Sequence, residues 1–524
     1  MSSKRKLPRI PRLKPQSTPT TTTTPITAQD YLEQATTNEE SGDRWLGSDI
    51  PKALRFYQKA HVAYLTSLHL GTSPDPETVY NSARLMFHVW NLFKDGNIIM
   101  DEIPELNVGS DSVVVGLDEI VRVHESAVNV SVNTGGKVDG DLLYNLAVVY
   151  TELLDDDGGD RDMEMDEVVG VYMKASKVFE ELIGRQCGDL ERFVGELNEI
   201  DGGGSSSGGN GNGSPGESKQ EEEEYESGEV IQPVDIYDTV LAGYKLIQSV
   251  YEHIQSDSQI DYINQLTAEL LQLCDNTTST LIDNFSIKSP HPMLENLSQD
   301  HINELIIAKT LIIGLTYTDI FQVIDLWKQN PTLPDIPERY MIASDNIQTI
   351  LDRHDISISN YSNSEMVWKC LSEQTNFLKS AQELLNQQIT TKRKSPTGLG
   401  TLIAQLSGVI IARADIDLQR SQITGYEPAE KNKEVLVNNC RNLLKSAMNI
   451  ANSNGGLREL AMEKLQREKK KSESVFRLCL IENKSSIEEL DKILTRKRWI
   501  NEVNGIKRLG YYDVSGIQTL SLGS

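Results

Sequence analysis

Between Val234 and Gly510 the apolar residues recur at intervals of three and four. Ile236, Tyr237, Val240, Leu241, Tyr244, Ile247, Val250, Tyr251 and Ile254 make one wide stripe, the spacing that puts side chains on a common helical face. The same period predicts further helices over about 260–285, 299–328, 338–353, 364–390, 400–423, 434–453, 457–483 and 486–506. Ser298 and Ser364 stand where an N-cap hydroxyl accepts from the first turn. Pro331, Pro334, Pro337 and Pro396 fall in the breaks, where a missing N–H does no harm. Helices of about twenty residues with short links suit antiparallel pairs or a solenoid.

Nearer the N-terminus, the stretch from Ser41 to Leu65 carries two apolar faces at helical spacing across a Gly47-Ser48-Asp49 break. Pro51 fits the first turn of the second helix. Ala53, Tyr57 and Ala60 share one side of that helix. Such a hairpin cannot bury its own face and needs other hairpins stacked on it. By contrast, the segment DGGGSSSGGNGNGSPGESKQEEEEYESG, from Asp201 to Gly228, holds nothing from which a core could form. Its Gly204-Ser205-Ser206-Ser207-Gly208 matches G-x-S-x-G, but a nucleophile elbow needs a strand before it and a helix after it. The chain divides accordingly into a basic Thr/Pro-rich disordered tail (1–27), a helical block (28–198), a disordered acidic linker (199–232), a second all-helical block (233–510) and a C-terminal tail (511–524).

These residues resemble the tetratricopeptide-repeat family. Gly42 and Trp45 match that family's first-helix pair, and Ala53, Tyr57 and Ala60 match the small–aromatic–small triple of its second helix. Tyr80-Asn81-Ser82-Ala83 with Phe87, and Tyr144-Asn145-Leu146-Ala147 with Tyr150, look like further first helices. Their second helices would carry Ile120, His124 and Ala127, then Val168, Tyr172 and Ala175. The separations from Ala83 to Ile120 and from Ala147 to Val168 far exceed that from Gly42 to Ala53, so the copies are degenerate and opened by insertions. The resemblance implies an all-α solenoid and leaves the partner open. In some members of that family Lys and Asn side chains clamp acidic chaperone tails. The matching positions here are Glu39, Asp43, Asn81 and Asn145, and the two acids would repel a carboxylate. The groove is therefore expected to take a neutral or basic segment.

Charge sharpens this. Lys and Arg number 51 against 77 Asp and Glu, a formal net charge of −26, which repels nucleic acid and anionic membranes and attracts basic partners. The acids concentrate after Leu154, where Asp155, Asp156, Asp157, Asp160, Asp162, Glu164, Asp166 and Glu167 face one Arg161. One reading is a solvated loop that complements the following helix dipole. The other is a docking surface for a Lys/Arg-rich protein, an arrangement that resembles acid-interrupted repeat proteins of the nuclear autoantigenic sperm protein family of histone chaperones. Candidate partner-binding residues are thus the acids from Asp155 to Glu164, with Asp43, Asn81 and Asn145 in the groove. A calcium loop is not expected, because the D-x-[DN]-x-[DN]-G register fails after Asp157.

Two basic regions stand apart. Lys4, Arg5, Lys6, Arg9, Arg12 and Lys14 read as a nuclear-import signal or as a plain solvated tail, and Pro8, Pro11 and Pro15 would break the amphipathic helix of a mitochondrial presequence. Lys464, Arg467, Lys469–Lys471 and Arg496–Arg498 beside Trp499 read as a contact for an acidic partner, for RNA or for the chain's own acidic segments, or as a solvated helix face. No stretch reaches the roughly eighteen apolar residues of a membrane span. Leu305 to Leu315, interrupted by Lys309, is expected to be a buried core helix. The five cysteines form no C-x-x-C pair, as suits a reducing compartment. The eight histidines offer no metal-ligand spacing, and no phosphate-cradling glycine motif occurs. The expectation is a nuclear or cytoplasmic, non-enzymatic scaffold without cofactor or metal, holding a basic protein partner. The alternatives are a structural subunit of a larger complex and an RNA-associated factor.

Overall fold

The computed structural model describes residues 25–98, 100, 103–106, 109–155, 163–202, 230–353, 363–393 and 397–517. Among them there are seventeen α-helices and no strand, with a single isolated bridge between Ser286 and Leu297. The all-α expectation is met. The import-signal candidates, most of the acidic loop and the Gly/Ser/Glu segment lie outside the described residues.

Helix α1 (Ala28–Leu46) starts at a capping box, Thr27 accepting from the Asp30 N–H at 3.1 Å and Asp30 from the Thr27 N–H at 2.9 Å. Helix α2 (Ile50–Leu70) is capped by Asp49, with Pro51 in its first turn. The two run antiparallel: the Tyr57 hydroxyl donates to Asp43 at 2.7 Å and the Tyr64 hydroxyl to Glu39 at 2.9 Å. Ala53 and Ala60 are fully buried on either side of Tyr57. Gly42 lies against the Tyr57 ring so closely that a Cβ there would fall inside the ring's van der Waals envelope. Gly42→Ala is therefore expected to cost about 1–3 kcal/mol, read as a lowered urea midpoint, whereas an unchanged midpoint would mean that the ring moves freely. Trp45 departs from the family pattern. It is 38% exposed, its face covered by the Lys52 ammonium at 3.2 Å from the ring centre.

Helices α3 (Pro76–Phe93) and α4 (Leu117–Asn133) form the next pair, and α5 (Gly140–Asp155) and α6 (Met165–Gly202) the third. Ile120, His124 and Ala127, and likewise Val168, Tyr172 and Ala175, are buried. Helix α7 (Pro233–Glu252) packs on both α5 and α6, so the helical array continues on the far side of residues 203–229. Its apolar stripe is buried apart from Leu241, which is half-buried. Beyond it follow α8 (Ile260–Asn284), α9 (Gln299–Thr316), α10 (Ile320–Gln329), α11 (Pro337–Arg353) and α12 (Ser364–Lys392). The array ends in α13 (Leu399–Ser421), α14 (Glu427–Ala451), α15 (Ala461–Ile481), α16 (Ile487–Ile493) and α17 (Arg496–Leu509).

Several boundaries differ from expectation. The helix expected over 299–328 breaks at Tyr317, because Asp319 caps a new helix by accepting from the Phe321 N–H at 2.9 Å. The one expected over 486–506 breaks at Leu494. Ser298 is an N-cap, but Ser364 is already inside α12 and donates to the Thr424 carbonyl at 2.7 Å. The segment 511–517 is no loose tail: Tyr512 and Ile517 are buried. One described helix, α13, is long and apolar enough to cross a membrane, contrary to the expectation that none would be. However, 72% of its apolar window is covered by other parts of the chain, chiefly α12, α14 and α15, which makes it a core helix.

Candidate functional site

Of the residues singled out from sequence, those described differ in surroundings, from exposed Asp43 and Glu164 to fully buried Asn145. Asp155, the last residue of α5, is held by Lys94 at 3.3 Å and Lys245 at 3.2 Å. Glu152, one turn earlier, pairs with the same two lysines. Burial raises the Asp155 carboxyl, but Lys245 and Lys94 outweigh it and hold the group below its ordinary value. Asp155 therefore ties α5 to the end of α3 and to α7, and is a structural anchor. Asp156, Asp157, Asp160 and Asp162 lie outside the described residues. Glu164 is exposed, and its carbonyl accepts from Glu167 at 2.9 Å and Val168 at 3.1 Å at the start of α6.

In the proposed groove, Asp43 is exposed and Asn81 half-buried. Asn145 is fully buried, its amide donating to the Tyr80 hydroxyl at 2.9 Å, so it presents nothing to a partner. The resemblance implied a place for Asn145 on the groove face, and the fold puts it in the core instead. Glu39 is buried too, paired with Arg84 and accepting from Tyr64.

Most of the basic C-terminal run is bonded within the chain, while Lys464 is exposed. Lys469 donates to the Asp95 carbonyl, Lys470 reaches Glu473 at 2.9 Å and Lys471 reaches Asn452 at 2.7 Å. Arg467 is buried on Glu459 and on the carbonyls of Ala451 and Ser453. Arg496 pairs with Asp491, and Arg498 lies 3.7 Å from Glu468. Trp499, read as an aromatic beside the charges, is fully buried, stacked on Phe476 with its indole N–H on Asp491 at 3.0 Å. A stacking platform for RNA bases needs an exposed ring, and this ring is not one.

The feature that sequence reasoning missed is a seam where the two ends of the array meet. The Ala461 N–H donates to the Gly47 carbonyl at 3.1 Å, and Leu460 packs on Gly47. Two cavities lie along it. One, of about 300 Å³, is lined by Lys94, Asp95, Lys469, Arg477, Glu502 and Ile506 among others. The second, of about 150 Å³, lies between Ile50, Ile98 and Ile103 on one side and Leu465, Ser472 and Glu502 on the other. Behind the larger cavity Arg477 grips the buried Asp415 at 3.1 and 3.2 Å, and the Tyr512 hydroxyl donates to the same carboxylate at 2.5 Å. Burial and the neighbouring Glu473 raise the Glu502 carboxyl above its ordinary value. No short-range sequence signal pairs residues as far apart as Asp95 and Lys469. Among the described residues no group of three or more His, Cys, Asp or Glu side chains could hold a metal ion.

Residues 332–503, from just before α11 into α17, match the family model described as the YNL193W C-terminal domain. The chain is similar to the uncharacterized protein YNL193W of Saccharomyces cerevisiae. The two are 25% identical over 512 residues, which is 84% of this chain and 87% of that protein. Among solved structures, the S. pombe nuclear import adaptor Nro1 aligns over 82% of this chain and 96% of its own. Identity there is 12% and the TM-score 0.25, a score at which the two arrangements do not superimpose.

Proposed function

We propose that the protein is a non-enzymatic, tetratricopeptide-like helical scaffold that captures a basic protein partner. It would act in the nucleus or cytoplasm as an assembly factor or escort for a Lys/Arg-rich protein of the histone or ribosomal type. The observation that carries this reading is where the cations go. Arg84, Lys94, Lys245, Lys309, Lys328, Arg467, Lys470 and Arg477 are each spent on an ion pair within the fold. With a formal charge of −26 for the whole chain, the surface offered to a partner is dominated by unmatched acids. Such a surface steers basic partners in and turns nucleic acid away. The histidines support a non-catalytic reading, since His61, His88 and His124 serve as packed side chains.

The acidic run is the element to test. Removing Asp155 with it would break the Lys94 and Lys245 anchor, so the clean variant changes Asp156, Asp157, Asp160 and Asp162 to Asn and spares Asp155. Exposed pairs contribute about 0.2–1 kcal/mol each, so the fourfold variant should bind a Lys/Arg-rich partner about tenfold more weakly or worse at low salt, with unchanged helicity. Capture at full strength by that variant would remove the acidic run from the site.

A further inference from the structure

We propose that the seam between the two ends of the helical array is a salt-sensitive latch that opens and recloses while the helices stay folded. Consecutive helices along the array share one continuous apolar core. The seam is built differently. The bonds that cross it include the Ala461 N–H to the Gly47 carbonyl and the Lys469 ammonium to the Asp95 carbonyl. Around these, cavities of about 300 and 150 Å³ take the place of packed side chains. The smaller cavity is flanked by Ile50, Ile98, Ile103 and Leu465, so the seam mixes polar bonds with incompletely filled apolar surface. Contacts of that kind are those across which domains move.

Charge makes the seam sensitive to salt. Lys94 and Asp95 face it from the end of α3, Lys469, Arg477 and Glu468 from α15, and Glu502 and Arg498 from α17. Glu473 stands close behind, raising Glu502, while Lys469 and Arg477 pull Glu502 down. The Lys469 ammonium bonds across the gap to the Asp95 carbonyl, close to Gly96, whose backbone turns with φ +61°. Fields between such partly solvated groups are screened over about 8 Å at physiological ionic strength and about 3 Å at 1 M. The buried Asp415–Arg477–Tyr512 cluster lies wholly on the C-terminal side and can stay intact when the seam parts.

Spin labels at Ser48 and Leu457 test this on the full chain. Both positions are exposed, Leu457 at 98%, and they flank the contact of Gly47 with Leu460. At low salt one short distance is expected. At about 1 M salt, or at low salt in Lys469→Glu, a second, longer-distance population should appear beside it. Helical content should not change, and the salt effect should reverse on dialysis. Lys431→Glu, whose partner Glu427 is one turn away on α14, should behave as wild type. A single short distance in every sample, Lys469→Glu included, would overturn the latch, as would lengthening seen only together with loss of helix. The test needs no partner, so its failure leaves the basic-partner reading standing.

Discussion

Arg477→Met is expected to destabilise the fold by about 3–5 kcal/mol, because it leaves a buried carboxylate without its cation. Asp415 is 9% exposed and is gripped by Arg477 on one side and the Tyr512 hydroxyl on the other. Burial raises the Asp415 carboxyl, while Arg477 and then the Tyr512 hydroxyl oppose that rise. With Arg477 gone, Asp415 can remain in place only by taking up a proton. The loss should therefore be largest near neutral pH and shrink as the solution is acidified. Replacing both partners, in Asp415→Leu with Arg477→Met, should recover much of the stability, since no charge is then stranded. Urea midpoints of wild type, single and double variants decide the matter. A single variant no less stable than the double would show that Asp415 is not isolated from water. Because Tyr512 closes this cluster, the segment after α17 belongs to the core.

Acid is expected to loosen the N-terminal hairpins before the rest. His61, His88 and His124 are buried, and burial is the largest cause lowering each of them from 6.5 to about 4. For a group lowered on folding, the unfolded chain binds more protons between the two values. The stability is then fully present above about pH 6.5 and is lost as the pH falls through about 4. Each histidine can contribute about 3 kcal/mol to that loss, so the three together rival the whole stability of an ordinary domain. Glu39, raised by burial, acts in the opposite sense as pH falls and cannot be its source. His124 is the cleanest probe, as its Nδ1 donates to the Ile120 carbonyl at 2.8 Å and its Nε2 has no partner. His124→Leu should reduce the drop in denaturant midpoint between pH 7.5 and 4.5 by about a third. An equal drop in wild type and variant would mean that His124 does not titrate in that window.

How far the fold could be read from the chain varied with the residue. The α7 stripe and the first hairpin were legible, since Ala53, Tyr57 and Ala60 or Ile236, Val240 and Tyr244 each mark one buried face. The break between α9 and α10 was not, because apolar residues continue on both sides of it and only the Asp319 cap signals the stop. The first two turns of α14 were missed because Glu427, Lys431 and Glu434 are exposed and carry no stripe. The candidate site was harder still. A charge pattern shows which residues are basic, but not that Lys469 will meet the backbone of Asp95 or that Arg477 will meet Asp415. Those partners are set by how the array curves back on itself, a property of the stacked helices that no single stretch contains.

The central claim is that an acid-rich helical scaffold holds its partner mainly through charge. The most direct measurement is an affinity purification of the full chain at low and at high salt, with the captured proteins identified by mass spectrometry. The account predicts a set enriched in Lys/Arg-rich proteins at low salt and largely lost at high salt. Partners without basic bias, retained at high salt, would contradict it.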